Sequence, residues 1–261
     1  MTLDLAAAVA PLRADPAGSV LLFDFDGTLS PLVDDPAAAR PLPGVVERLD
    51  RLARSYGCVG AVSGRPIAFL SQHLPPSLVL SGLYGLESRV DGVLVEHPET
   101  ERWRPVIAEA VRAAEEATAP GAAAHGVLVE AKGLSITLHT RTRPELADEA
   151  AALAERIAAP GGLRVGVAKQ SVEIHPPIDA NKGTALRALA EGASAVLYVG
   201  DDNGDIPAYE ALDDLAQGTP PIAVLSVVVD GPELPDRVRG RGQLLLPDQT
   251  AVLDLLDALE V

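Results

Sequence analysis

The sequence predicts an α/β protein: a Rossmann-like core on a parallel sheet, with an inserted α+β domain. Three observations point there. Short apolar runs at residues 20–23, 58–62 and 195–199 suit strands buried on both faces. Helical patterns separate those runs, as parallel strands require. Between residues 97 and 176 the texture changes to helix, hairpin, helix, hairpin, which is the pattern of an antiparallel sheet packed on helices. The expected division is therefore a core of residues 1–96 and 177–261 and an insert of residues 97–176.

The first strand ends in Asp24-Phe25-Asp26-Gly27-Thr28-Leu29. Side chains i and i+2 of a strand share a direction, so Asp24 and Asp26 should face one crevice. Gly27 permits a sharp turn and Thr28 adds a hydroxyl. Two adjacent carboxylates repel, which suits a metal cation, or a nucleophile beside an acid/base. The plain alternative is a solvated acidic loop.

A helix is expected from Pro43 to Arg54, with Val45, Val46, Leu49 and Leu52 on its apolar face. The strand at 58–62 runs into Ser63-Gly64-Arg65 before a helix opened by Pro66. A Ser-Gly turn at a helix N-terminus is a ready anion site, and equally an ordinary capped turn. A third strand at 78–80 leads into Ser81-Gly82-Leu83-Tyr84-Gly85-Leu86-Glu87, and Asp91-Gly92 marks a hairpin.

In the insert, a helix is expected from Arg104 and another after Pro144. Alternating stretches at 126–131 and 134–140, split by Lys132-Gly133, read as strands. So do residues 163–167 and 171–174. Asn181-Lys182-Gly183-Thr184 then opens a helix. The run at 195–199 ends in Gly200-Asp201-Asp202-Asn203-Gly204-Asp205, a second buried strand delivering carboxylates at its C-terminal end. Strands at 222–229 and 243–246 and a helix at 252–259 complete the core. Ligands of open parallel sheets bind outside the carboxyl ends of the strands, where Asp24, Asp26, Ser63, Lys182 and Asp201 converge.

Composition narrows the chemistry. The 261 residues carry a formal charge of −16 and no basic run, so nucleic-acid binding is set aside. An acidic chain repels anions at long range, so a phosphate site would need a metal and a few cationic side chains. Of 21 basic residues, only Lys132, Lys169 and Lys182 are lysine, each offering a compact point charge. Cys58, the single cysteine, reads as a small core residue. The segment Met1 to Ala10 lacks a basic leader region, and no stretch is long enough to span a membrane. The expectation is a cytoplasmic protein, a monomer or weak oligomer.

Phosphoryl transfer needs an in-line nucleophile, a cation on the phosphoryl oxygens and a proton source for the leaving group. Asp24 suits the nucleophile, forming an aspartyl-phosphate. Asp24 and Asp201 suit Mg²⁺, which prefers oxygen ligands. Asp26 could lend the metal its backbone carbonyl while its side chain carries the proton. Ser63 and Lys182 would hold the remaining phosphoryl charge.

These stretches resemble the four motifs of the haloacid dehalogenase superfamily of phosphatases, in order and over nearly the whole chain. Within it the chain is most similar to the trehalose-6-phosphate phosphatase family. Ser63-Gly64-Arg65-Pro66, Gly82-Leu83-Tyr84-Gly85-Leu86-Glu87, Glu130-Ala131-Lys132-Gly133-Leu134-Ser135 with His139 and Arg141, and Glu173-Ile174-His175-Pro176 before Lys182-Gly183 carry that likeness. The resemblance implies Mg²⁺-dependent hydrolysis of a sugar phosphate, trehalose 6-phosphate first. The insert would be a cap that sets specificity, with Arg65, Glu130, Lys132 and Glu173 binding substrate. Without the resemblance, the last three read as a hairpin surface of alternating charge. One departure stands out: Gly204 and Ile206 occupy positions where the family usually carries Thr and Glu. Two alternatives stay open. One is the same chemistry on a sucrose, mannose or glycosyl-glycerate phosphate. The other is a non-catalytic sugar-phosphate-binding regulatory module, which loss of Asp24 or Asp26 would mark; both are present.

Overall fold

The computed structural model describes residues 4–168, 170–232 and 234–261. Lys169 and the first three residues of the N-terminal segment lie outside the described residues. The chain divides into two compact units, one of residues up to Val95 together with Ala180–Val261, the other Glu96–Asp179.

The first unit contains α1 (Leu5–Ala14), β1 (Ser19–Phe23), α2 (Val45–Leu52), β2 (Cys58–Val62), α3 (Ile67–His73), β3 (Val79–Gly82) and β4 (Glu87–Val90). β5 (Val93–Glu96) completes the hairpin at Asp91-Gly92. The second unit follows with α4 (Thr100–Thr118), β6 (Leu128–Ala131), β7 (Ile136–His139), α5 (Ala147–Gly161), β8 (Arg164–Ala168) and β9 (Ser171–His175). The chain then returns to the first unit through α6 (Lys182–Leu189), β10 (Ala195–Gly200), α7 (Ile206–Gln217), β11 (Ala223–Val229), α8 (Asp236–Arg239), β12 (Leu244–Leu246) and α9 (Ala251–Leu259).

The sheet of the first unit runs β12-β11-β10-β1-β2-β3-β4-β5. From β12 to β3 every pairing is parallel, and β4 joins antiparallel. β1 lies where the order reverses, with β2 and β3 on one side and β10 to β12 on the other. Such a switch point opens a crevice beyond the carboxyl ends of the strands. β1 is buried along its whole length. Leu21 and Phe23 join one cluster with Val9, Leu49, Leu70 and Leu256, while Val20 and Leu22 join another with Leu186, Ala208 and Leu212. Alternation by two thus locks the register from both faces. Opening a cavity at Leu21 by substitution with alanine would cost about 2–5 kcal/mol.

The second unit has its own sheet, β6-β7-β9-β8, antiparallel throughout. Ile136, Leu138, Val172 and Ile174 pack against Ile107, Ala114, Leu153 and Ala154 of α4 and α5. The architecture is the α/β class that the sequence predicts, a mostly parallel sheet plus a separate antiparallel one.

Some elements differ from expectation. α4 opens at Thr100 rather than Arg104 and passes through Pro105, forgoing the amide that Pro lacks. α1, α7 and α8 were not expected, although Leu5, Ala8, Val9 and Leu12 of α1 and Ala208, Leu212 and Leu215 of α7 pack at helical spacing. α7 is set up by Asp202 and Asp205, which form a reciprocal capping box just before it. No helix among the described residues is long and apolar enough to cross a membrane.

Candidate active site

The crevice at the ends of β1 and β10 is built from charges that the strands deliver. Asp24 follows β1 directly, and its amide donates to the Val199 carbonyl at 2.8 Å, which extends the ladder by one step. Its side chain is buried, and Oδ1 lies 2.7 Å from Lys182 Nζ. Lys182 is the first residue of α6, whose N-terminus is capped by Asn181. The same ammonium lies 2.6 Å from Asp205 Oδ1.

Asp205 organises this end of the sheet. Its Oδ1 also accepts from the Tyr198 hydroxyl at 2.6 Å. Its Oδ2 accepts from the amides of Asp201 at 2.8 Å and Asp202 at 3.0 Å. A carboxylate offers about four acceptor positions, and here all four are in use. The approach is so close that a Cβ on Gly200 would stand 2.4 Å from the Asp205 carboxylate. Support of the Asp201 loop therefore rests on Asp202 and Asp205. The Gly204 and Ile206 departures do not remove it: Gly204 gives its amide to Asp202, and Ile206 packs toward the apolar cluster.

Asp201 leans over the turn after β1. A Cβ on Gly27 would lie 2.1 Å from Asp201 Oδ2, and Gly27 holds φ +83°, so glycine is required twice over. Thr28 donates to Asp201 Oδ1 at a long 3.4 Å. Carboxylate oxygens of Asp24, Asp201 and Asp205 come within 4.8 Å of one another. An all-oxygen set of this kind fits a hard divalent cation. Because Asp205 is fully engaged, Asp24 and Asp201 are the members of this set with oxygens left to offer a cation.

Electrostatics favours the same view. Burial raises the Asp24 pKa well above its usual range, with Lys182 pulling it back and Asp205 and Asp202 adding repulsion. Asp201 is raised for the same leading reason, then by Asp24, Asp205 and Asp202. Burial works against the Lys182 ammonium, but Asp205 and Asp24 outweigh it and keep Lys182 charged well above its ordinary pKa. Tyr198 is held neutral by burial and by the Asp205 charge. This end of the sheet is short of positive charge.

Asp26 is placed differently. Arg65 clasps it with Nε at 2.7 Å from Oδ2 and Nη2 at 2.8 Å from Oδ1, a bidentate pair. Arg65 is itself buried, gives Nη1 to the Pro36 carbonyl at 2.9 Å and stacks over Phe69. Ser63 sits at the end of β2, 1% exposed, and its Oγ accepts from the Arg65 amide at 3.1 Å. The segment after β3 returns over this turn, with Leu83 and Tyr84 donating to the carbonyls of Arg65 and Ser63.

Glu130, Lys132 and Glu173 come together on the sheet of the second unit. Lys132 Nζ lies 3.9 Å from Glu130 Oε2 and 3.8 Å from Glu173 Oε1. His139 Nε2 meets Glu130 Oε2 at 2.8 Å, and Ser135 Oγ donates to Glu173 Oε1 at 2.7 Å. Sequence reasoning assigned no role to Tyr198, Ser135 or His139. Tyr198 carried one faint signal, a hydroxyl inside an otherwise apolar run. Ser135 and His139 carried another, polar residues at even spacing along β7 and its approach.

The sequence profile of the trehalose-phosphatase family matches residues 22–233. The chain belongs to this family. A trehalose-phosphate phosphatase of Mycobacterium leprae is 32% identical over 218 residues, covering 78% of this chain and 50% of that protein. One from Mycobacterium ulcerans is 35% identical over 202 residues, covering 74% and 51%. The chain thus spans about half the length of these curated relatives. The C-terminal domain of the Candida albicans trehalose-6-phosphate phosphatase shares the fold, with a TM-score of 0.78 at 23% identity, over 99% of this chain and 97% of that one.

Proposed function

We propose that this trehalose-phosphatase family member hydrolyses trehalose 6-phosphate to trehalose and phosphate through an aspartyl-phosphate on Asp24. The observation that carries the reading is the buried Asp24–Lys182–Asp205 arrangement at the sheet's switch point, with Asp201 alongside. Lys182 takes Asp24 Oδ1 and leaves Oδ2 to attack phosphorus. As the P–O bond to the sugar breaks, a proton from Asp26 passes to the departing oxygen. Arg65 orients Asp26, and the bidentate pair leaves each Asp26 oxygen a lone pair that can carry that proton. Asp26 then takes a proton from water, which attacks the aspartyl-phosphate and releases phosphate. Lys182 and Ser63 hold charge on the phosphoryl oxygens.

Asp24, Asp201 and the Asp26 backbone carbonyl would hold Mg²⁺. When bound, it neutralises phosphoryl charge and the repulsion between the two carboxylates. In the second unit, Glu130, Lys132 and Glu173 are read as partners for sugar hydroxyls, since charged groups bond strongly to OH. Phosphate release from a panel of phosphorylated sugars, with Mg²⁺ present, tests the whole reading. Trehalose 6-phosphate should have the highest kcat/KM. A higher value for a sucrose or mannose phosphate would move the substrate assignment, and no release from any member would refute the activity.

A further inference from the structure

Strand pairing in the second unit sets Glu130 of β6 opposite Thr137 of β7, and Thr137 opposite Glu173 of β9. The three side chains therefore form one row across the sheet. The residues alternating with Thr137 on β7, Ile136 and Leu138, belong to the core with α4 and α5, so the row is on the other face. Both outer members are fixed, Glu130 by His139 and Glu173 by Ser135.

The middle member is not. Thr137 is 4% exposed, and its Oγ1 has no hydrogen-bond partner. Buried hydroxyls are nearly always paired, because an unpaired one loses its water and gains nothing. A β-branched apolar residue would fill the same place on a strand without that cost. Lys132 adds a second incomplete group. Its ammonium bridges the row at 3.8 and 3.9 Å, beyond hydrogen-bond distance of either carboxylate. A donor-rich ammonium and an orphan hydroxyl thus lie between two prearranged acceptors. A neutral ring with adjacent hydroxyls supplies what they lack, whereas an anion would meet two carboxylates.

We propose that Thr137 binds substrate directly, its hydroxyl exchanging hydrogen bonds with a sugar hydroxyl at the centre of a Glu130–Thr137–Glu173 platform. The inference rests on the reading of the second unit as the part that binds the sugar. It adds a contact that belongs to this chain's own row of side chains.

Steady-state kinetics of Thr137→Val and Thr137→Ser test it, with trehalose 6-phosphate and with p-nitrophenyl phosphate. Valine keeps the shape and deletes the hydroxyl. Its KM for trehalose 6-phosphate should rise about 3- to 10-fold with kcat little changed. Its kcat/KM on p-nitrophenyl phosphate should not move, and its Tm should equal or exceed the wild-type value. Serine restores the hydroxyl and should restore KM to within about twofold. An unchanged KM in Thr137→Val, an equal loss on both esters, or a serine variant as impaired as valine would each overturn the proposal. The wild-type panel separates the two readings. If another sugar phosphate is preferred, the KM comparison is made on that one. If no sugar phosphate is turned over, the underlying reading fails first and Thr137 falls with it.

Discussion

Two clusters in this molecule are each built from carboxylates around a lysine, yet they are incomplete in opposite ways. At the ends of β1 and β10, Asp24, Asp201, Asp202 and Asp205 act on one ammonium, Lys182, held at 2.6 and 2.7 Å. Every hydrogen-bonding position of Asp205 is taken, and the residual imbalance is charge. On the sheet of the second unit, Lys132 stands 3.8 and 3.9 Å from two carboxylates that already have partners. There the imbalance is hydrogen bonds. A shortage of positive charge draws a cation and then a phosphoryl group. A shortage of hydrogen bonds draws a neutral polyol.

The largest effect should come from Asp24→Asn, which keeps size and removes the attacking charge. Phosphate release should fall on the order of a thousandfold or more on every ester, with the folded state retained by circular dichroism. Retention of a tenth of wild-type turnover would reject Asp24 as the nucleophile.

Asp201→Asn separates charge from packing. Burial raises both Asp24 and Asp201, so the folded, metal-free protein holds protons that the unfolded chain releases. The contribution of this pair to stability should then be fully present below the ordinary carboxylate value of about 4 and be lost as pH rises through the raised values. Removing one charge should raise the metal-free Tm at neutral pH by about 2–4 °C. In the wild type, Mg²⁺ should raise Tm and restore activity after chelation; in Asp201→Asn both responses should be lost. A lower metal-free Tm in the variant would mean that Asp201 contributes packing rather than repulsion. Full wild-type activity in excess chelator would eliminate the metal.

How much of this was legible beforehand depends on the distance over which a residue acts. The apolar runs at β1, β2 and β10, with acids at their ends, are local patterns and were readable. So were the hairpin at Asp91-Gly92 and the strand alternation of the insert. α7 was not, because its cap is made by Asp202 and Asp205 inside a run that reads as an acidic loop, which hides the start of the helix that buries Tyr209 and Leu212. α1 carries Pro11 within its span, which argues against a helix on sequence grounds. Partner choice was the least legible. The Asp26–Arg65 clasp joins residues 39 apart and the Lys182–Asp205 contact residues 23 apart. No periodicity records which pairs a fold will join. Thr137 is visible only as an orphan, and that requires knowing every neighbour.

Lys132→Ala tests the second cluster by itself. The proposed sugar hydroxyls would lose their donor, and two carboxylates would face each other without an ammonium. A buried polar group left unpaired costs about 1–3 kcal/mol, so kcat/KM for the sugar phosphate should drop about tenfold to a hundredfold. Hydrolysis of p-nitrophenyl phosphate should change little, because it carries no sugar. An equal loss on both would place Lys132 with folding or with the phosphoryl end.

The finest test compares two single hydroxyls, one in each cluster. Tyr198 donates to Asp205 at 2.6 Å and Ser135 donates to Glu173 at 2.7 Å. Each is a neutral donor on a carboxylate, and Tyr198→Phe and Ser135→Ala each delete one oxygen. Similar bonds should give similar losses, about 3- to 10-fold in kcat/KM on the sugar phosphate. The kinetic form should differ. Without Tyr198, Asp205 is less satisfied and pulls harder on Lys182, which it shares with Asp24. That disturbs the reacting end, so kcat should fall on the sugar phosphate and on p-nitrophenyl phosphate alike. Without Ser135, Glu173 loses its fixed orientation, so KM should rise on the sugar phosphate only. If both variants lower kcat on both esters, the two clusters act as one site and the division between charge and hydrogen bonding fails. If Ser135→Ala raises KM while Tyr198→Phe leaves kcat untouched, the division holds for the second unit, and Tyr198 serves the fold rather than the position of Lys182.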